Sequence, residues 1–369
     1  MIAKATPESL PFRFRAGDLP PDQDTIAHVR QLFLPAVTDL CVQIWLWAQA
    51  TDGLKLGNIS LDGTTLHADA SKSHAVSDQR LLALEHQWRA AVDAWFARGE
   101  QAEQGRLPDG LILAAERARR QARLANLAQA HAVLEARAPA RDQAERTASE
   151  AKRRAREETA RPRKPRGPQP TPLQPGPRER DQYHCTDPES RLMQNRTNDG
   201  FDQHDQAQIA TDQHRLLVVA HAWSNQANDQ AAVAPPWDAW PDILGTPPAG
   251  AREPGYFSAA NMPAVEQRGI APSRAVGREP QPTHWSAEGA QPLAPPPAEA
   301  SPLVQMADKR PTELGQALYR WRTCTVEPVL GLIKAVLGLR QFSLRGLTAA
   351  AGEWCLVCLA VKLKRLRVL

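Results

Sequence analysis

The run Thr325-Val-Glu-Pro-Val-Leu-Gly-Leu-Ile-Lys334, with Val336 and Leu337 just beyond, constrains the fold most. Its apolar residues Val326, Val329, Leu330, Ile333, Val336 and Leu337 recur at steps of three and four. That spacing makes one stripe of an α-helix facing a core. Glu327, Gly331, Lys334 and Gly338 form a second stripe on another face. The helix then presents a carboxylate and an ammonium beside glycines that admit a close backbone. Tyr319 and Arg322 lie just upstream. Carboxylate, phenol, guanidinium and ammonium together suit a site that holds a metal and a phosphate. The alternative is a solvated charged face.

A second stretch decides between these readings. Between Leu54 and Leu61 the chain is apolar, and Ile59 and Leu61 alternate with Ser60 and Asp62. Period two predicts a strand, here delivering Asp62 at its end, with Gly63 permitting a tight turn. A strand Asp and a distant helix Glu are parts of a carboxylate site for Mg²⁺, which takes one or two protein carboxylates plus substrate phosphate.

Four segments carry a resemblance: Leu61-Asp-Gly-Thr64, Thr186-Asp-Pro-Glu-Ser-Arg191, Gly255-Tyr-Phe-Ser258, and Tyr319 through Leu347. Together they resemble bacterial insertion-sequence transposases of the DDE type, from about Phe12 to the C-terminus. The resemblance implies an α/β fold: an RNase H-like mixed sheet with flanking helices, interrupted by a helical-hairpin insertion and Pro-rich linkers. It implies Asp62, Glu253 and Glu327 as catalytic carboxylates and metal ligands, holding two Mg²⁺ or Mn²⁺ ions. It implies Tyr319, Arg322 and Lys334 as phosphate-binding residues. The reaction would be DNA strand cleavage by water at the element's ends, then attack of the freed 3′-hydroxyl on target DNA. The partner is double-stranded DNA, with a homodimer left open. Relatives carry Asp where this chain has Glu253, which is followed by Pro254. Their N-terminal helical region has no counterpart before Phe12. The expectation is therefore a truncated remnant that does not transpose. Two alternatives compete: a DNA-binding protein without catalysis, and an interaction protein built on the helical hairpin.

The rest of the chain divides by composition. Residues 1–50 read as the remnant of the N-terminal helical region, with 1–20 poorly ordered and a break near Pro35. Residues 51–75 hold the first strand, and 76–160 a helical, coiled-coil hairpin with stripes Leu81, Leu84, Trp88, Val92, Trp95 and Leu124, Leu127, His131, Leu134. His131 reads as a packed histidine. Residues 161–182 are a Pro/Arg linker. Residues 183–369 complete the catalytic domain, with a disordered loop at about 278–305. Within it, Gln206–Ala210 and Leu216–Ala220 flank a turn at Asp212, a hairpin beside the Asp62 strand. Residues before Glu253 lack the large apolar side chains of a central strand.

The net charge of +4 permits a nucleic-acid partner without demanding one. Five scattered cysteines suit a reducing cytoplasm, and Cys355-Leu-Val-Cys358 reads as buried thiols rather than half a zinc site. The run Trp354–Val361 is too short to span a bilayer. Lys362, Lys364, Arg365 and Arg367 read as a basic tail, either a phosphate contact or a solvated helix end.

Overall fold

A computed structural model describes residues 6–51, 54, 56–102, 113–159, 175–194, 200–226, 240–252, 271–274 and 313–369. The chain divides into two units: residues 1–69 with 189–369, and residues 70–188. The class is mixed α/β.

The larger unit is built on a mixed sheet. β1 (Ile59–His67) pairs antiparallel with β5 (Phe201–Asp212), setting Asp62 opposite Ile209 and His67 opposite His204. Along its other edge, β5 pairs antiparallel with β4 (Arg191–Gln194) and β6 (Val218–Ser224). On the far side of β1, β7 (Ala249–Arg252) and β8 (Ala271–Arg274) continue the sheet in parallel. The β5–β6 hairpin turns where Asp212 accepts hydrogen bonds from the amides of His214 and Arg215, closing the loop on a buried carboxylate.

Two details depart from the sequence reading. Asp62 lies inside β1 rather than at its end, because β5 stays paired as far as His67. Gly63 is correspondingly an extended strand residue. Before Glu253 a strand does form. Ala249 and Ala251 are small enough to be buried in it, and pairing on both edges replaces the side-chain anchors.

Helices cover the sheet. α1 (Leu10–Arg15) occupies part of the segment expected to be poorly ordered. α2 (Gln23–Leu32), capped by Asp22 through the Thr25 amide, and α3 (Leu34–Ala50) break at Phe33, with Pro35 in the first turn of α3. Pro35 costs little there, because first-turn amides lack helical partners anyway. α3 buries Cys41, Ile44, Trp45 and Ala48 against Ile59, Leu61 and Ala210. The helix expected from the stripe at Val326 is α6 (Glu313–Gly331), running into a π-helical turn at Leu332–Val336. Val326, Val329, Leu330 and Ile333 pack on Leu66, Ala207 and Ile209; each such burial contributes about 1.5–3 kcal/mol. Val336 and Leu337 do not join them. The wider turn carries them out of the stripe, and they are exposed. Gly338 then takes a positive φ of 73° past the helix end. No backbone approaches Gly331, whose missing Cβ would meet nothing within 4 Å.

α7 (Leu347–Leu366) follows Gly346, and its first amide is held by the Glu189 carboxylate at 2.6 Å. Glu189 belongs to the Thr186–Arg191 segment, which explains a carboxylate at that position as a helix cap. Lys362 on α7 is fully buried, so it is not part of the exposed basic end.

The smaller unit pairs β2 (Ala75–Ser77) with β3 (Gln182–His184), and α4 (Asp78–Ala102) with α5 (Leu113–Thr159). Leu81, Ala130, Leu134 and Tyr183 form its core. His131 is tied to Asp78 at 2.9 Å. The Pro/Arg linker lies largely outside the described residues. Its described end departs from the extended reading: Arg141 holds Asp181 and the Gly176 carbonyl, and Asp142 accepts the Gly176 amide. Chiefly that backbone hydrogen bond holds the Asp142 carboxyl below its ordinary range.

Candidate metal and phosphate site

Strand pleat and helix pitch bring two of the three expected carboxylates together. Asp62 alternates with Leu61 and Gly63, so it leaves the sheet on the face that α6 covers. Arg322 and Glu327 project from α6. Arg322 Nη1 lies 3.1 Å from Asp62 Oδ2, and its Nη2 lies 3.3 Å from Glu327 Oε1. One guanidinium therefore spans both carboxylates. Asp62 and Arg322 side chains are only 9% and 5% exposed, whereas Glu327 is 49% exposed. The site thus has a buried floor and one open side. Asp62 Oδ1 also accepts the Gly63 amide at 2.8 Å, which fixes its rotation.

A buried hydroxyl chain sets the register of helix on strand. Thr325 Oγ1 donates to Ser60 Oγ at 2.7 Å, and Gln213 Nε2 donates to the same oxygen at 3.0 Å. Ser60 lies two residues before Asp62, on the same face of β1. Thr325 lies two before Glu327. Sliding α6 along β1 would break these bonds and part the carboxylates. Sequence reading missed this clamp, although Ser60 and Thr325 flank the motif residues at fixed offsets. It also treated Arg322 as a phosphate ligand, without its place between the acids.

Lys334 Nζ donates to the Thr65 carbonyl at 3.1 Å, farther along β1. Beyond it, His67 and His204 stack with ring centroids 4.2 Å apart. Burial lowers the His204 pKa from its ordinary value, and the charge of Lys334 adds to that. Tyr319 belongs to α6, but its side chain lies outside the described set. Glu253 also lies outside the described residues; it directly follows Arg252, the last residue of β7. Among the described residues no three carboxylate, imidazole or thiol side chains converge as metal ligands. Two carboxylates do converge, and their oxygens are the hard donors a divalent Mg²⁺ or Mn²⁺ ion takes.

Residues 297–367 match the family model of the transposase DDE domain. The match supports a DDE-type transposase. It contains Arg322, Glu327, Lys334 and the whole of α7, and leaves Asp62 and Glu253 outside. No curated protein and no solved structure matches the chain. Among the described residues, no helix is long and apolar enough to cross a membrane.

Proposed function

We propose that the chain is an insertion-sequence transposase by descent. On this reading it binds a divalent metal and DNA phosphates between β1 and α6 and does not complete transposition. The observation that carries the proposal is Asp62 and Glu327 sharing Arg322, which lies 260 residues from Asp62 in sequence. The mixed sheet, with a hairpin beside the Asp62 strand, supports the RNase H-like reading. Residues 76–160 are then an insertion into that fold. DNA at element ends and targets is the partner, and the bacterial cytoplasm, at the nucleoid, is the place. An interaction protein built on the α4–α5 hairpin has no comparable observation behind it.

Asp62, Glu327 and, as third ligand, Glu253 would hold the metal. When bound, the metal would polarise phosphodiester oxygens and ease deprotonation of water. The protein's own groups do the rest. Arg322, Lys334 and Tyr319 position phosphate oxygens. The Ser60–Thr325–Gln213 clamp keeps the two acids on one side of the phosphate. Glu253 is the weak member, being one methylene longer than Asp and followed by Pro254. Ligands must be placed within about 0.5 Å for such a site to work.

The test separates binding from turnover. Mn²⁺ should raise the melting temperature of the wild type, and the gain should vanish in Asp62→Asn and Glu327→Gln. No Mn²⁺ effect on the wild type would sink the metal reading. In parallel, DNA carrying the element's ends should stay uncut with Mg²⁺ or Mn²⁺. Cleavage that disappears in Asp62→Ala would show that Glu253, or another carboxylate such as Asp212, completes the site and that the loss of transposition is wrong.

A further inference from the structure

Away from the carboxylates, three of the five cysteines gather around one buried lysine. Cys355, Cys358 and Lys362 occur at steps of three and four on α7, and so share one helix face. Cys41 on α3 faces them, its Sγ 4.0 Å from Cys355 Sγ. Lys362 is fully buried, and its Nζ lies 3.7 Å from the centre of the Trp45 ring, one turn along α3 from Cys41. Nζ finds no hydrogen-bond partner among the described residues. Burial lowers the Lys362 pKa from its ordinary value, and the three thiols around it oppose that shift, so the buried ammonium is favoured by an anion among them.

We propose that Cys41 and Cys355 are a peroxide-sensitive thiol pair, with Lys362 as its built-in counter-cation, that closes to a disulfide joining α3 to α7. The two sulfurs share one hydrogen bond in which either can be the donor. Chiefly through that bond the pKa of the Cys41 thiol is drawn down to about 6, with the Lys362 charge adding to the effect. Burial and the same hydrogen bond push Cys355 upward, and burial pushes Cys358 upward. The remaining titratable neighbour is His221 on β6. Burial lowers it to about 3, so it stays neutral and supplies no competing charge. Oxidant access comes from a cavity of about 320 Å³ lined by Thr38, His221, Trp223, Thr348, Gly352 and Cys355; Cys41 does not line it, and its Sγ lies behind Cys355 at 4.0 Å. Thr38 and Thr348 at its rim are exposed, and a water-sized oxidant occupies only about 30 Å³.

The oxidant is a hydroperoxide. The Cys41 thiolate attacks one peroxide oxygen: an S–O bond forms, the O–O bond breaks, and hydroxide leaves and takes up a proton as water. Cys355 then attacks the Cys41 sulfur. The S–S bond forms, the S–O bond breaks, and the departing hydroxide takes the Cys355 proton as a second water. Two thiols lose two electrons and one peroxide gains them.

The experiment treats the full-length protein with hydrogen peroxide, then maps thiols and cross-links by non-reducing peptide mass spectrometry. A Cys41–Cys355 cross-link is expected, with exposed Cys185 and Cys324 as internal controls. In Lys362→Met, cross-linking at pH 7 should slow at least about tenfold, as the thiolate fraction falls towards that of an ordinary cysteine. Three results overturn the proposal. The first is wild-type protein in which Cys185 and Cys324 oxidise while Cys41 and Cys355 remain free thiols. The second is a Cys355–Cys358 cross-link in its place. The third is an unchanged rate in Lys362→Met, which removes the lysine from the account. The first two are read on the wild type, so they do not depend on a variant folding.

Discussion

Two regions of the sheet unit each bury a cation, and they do so with opposite chemistry. Arg322 sits between the carboxylates of Asp62 and Glu327. Lys362 sits against Trp45 and beside Cys41, whose thiol can take back its proton near neutrality. The first arrangement is stiff. Removing its cation leaves the buried Asp62 carboxylate without its ion-pair partner. The second can relax, because loss of its cation is answered by protonation. On the proposed readings, one region would exchange a guanidinium for a metal ion and the other would change its own covalent state.

The sharpest way to break this contrast is to remove each cation. We predict that Arg322→Met destabilises the metal-free protein by roughly 3–5 kcal/mol, as expected when one partner of a buried pair is deleted. Most of that loss belongs to Asp62, since Glu327 can turn to water. Urea unfolding at neutral pH measures it, and Asp62→Asn in the same background should recover much of it. A loss under about 1 kcal/mol would mean that Asp62 is hydrated through the site's open side.

A smaller effect tests the environment of Lys362. His221 is held neutral by burial, with a folded pKa of about 3 against an ordinary 6.5. Between those values the unfolded chain binds the proton and the folded chain does not, so stability falls as pH falls through that window. From pH 7 to 4.5 the His221 contribution should fall by roughly 2–3 kcal/mol, at 1.36 kcal/mol per pKa unit. His221→Gln should flatten that part of the curve. A wild-type curve already flat from pH 7 to 4.5 would place His221 in contact with water.

The contrast also explains what the sequence could reveal. α6 was legible because its apolar residues keep helical spacing over several turns, and β1 because Ile59 and Leu61 alternate with Ser60 and Asp62. That Asp62 and Glu327 would come together was an inference from residue type, and the structure places both on Arg322. β7 was hidden because Ala249-Gly250-Ala251 has neither alternation nor β-branching; sheet pairing on both edges makes the strand. Val336 and Leu337 were misplaced because nothing local announced the π-helical turn. Lys362 was read as part of a charged tail because Lys364, Arg365 and Arg367 follow it. Only its spacing from Cys355 and Cys358 points inward, and that pattern means something only once Cys41 arrives from far upstream. Glu253 lies outside the described residues, so its role rests on its position beside Gly255-Tyr-Phe-Ser258.

The smallest expected effect discriminates most sharply between the two cations. Lys362→Met should change stability at neutral pH by less than about 1.5 kcal/mol, in either direction. Two losses and one gain set the balance. The cation–π contact with Trp45 disappears, which costs up to about 2 kcal/mol when desolvated. The Cys41 thiolate loses its counter-charge, but the thiol simply reprotonates at a cost of about one to two pKa units. Against these, the desolvation penalty of a fully buried ammonium is lifted, and a methionine of similar length fills the same space. A loss as large as that of Arg322→Met would show that Cys41 cannot neutralise itself and that the two buried cations are alike after all. Near-silence in stability, together with slowed disulfide formation, would show that Lys362 acts on the reactivity of Cys41 and hardly on the fold.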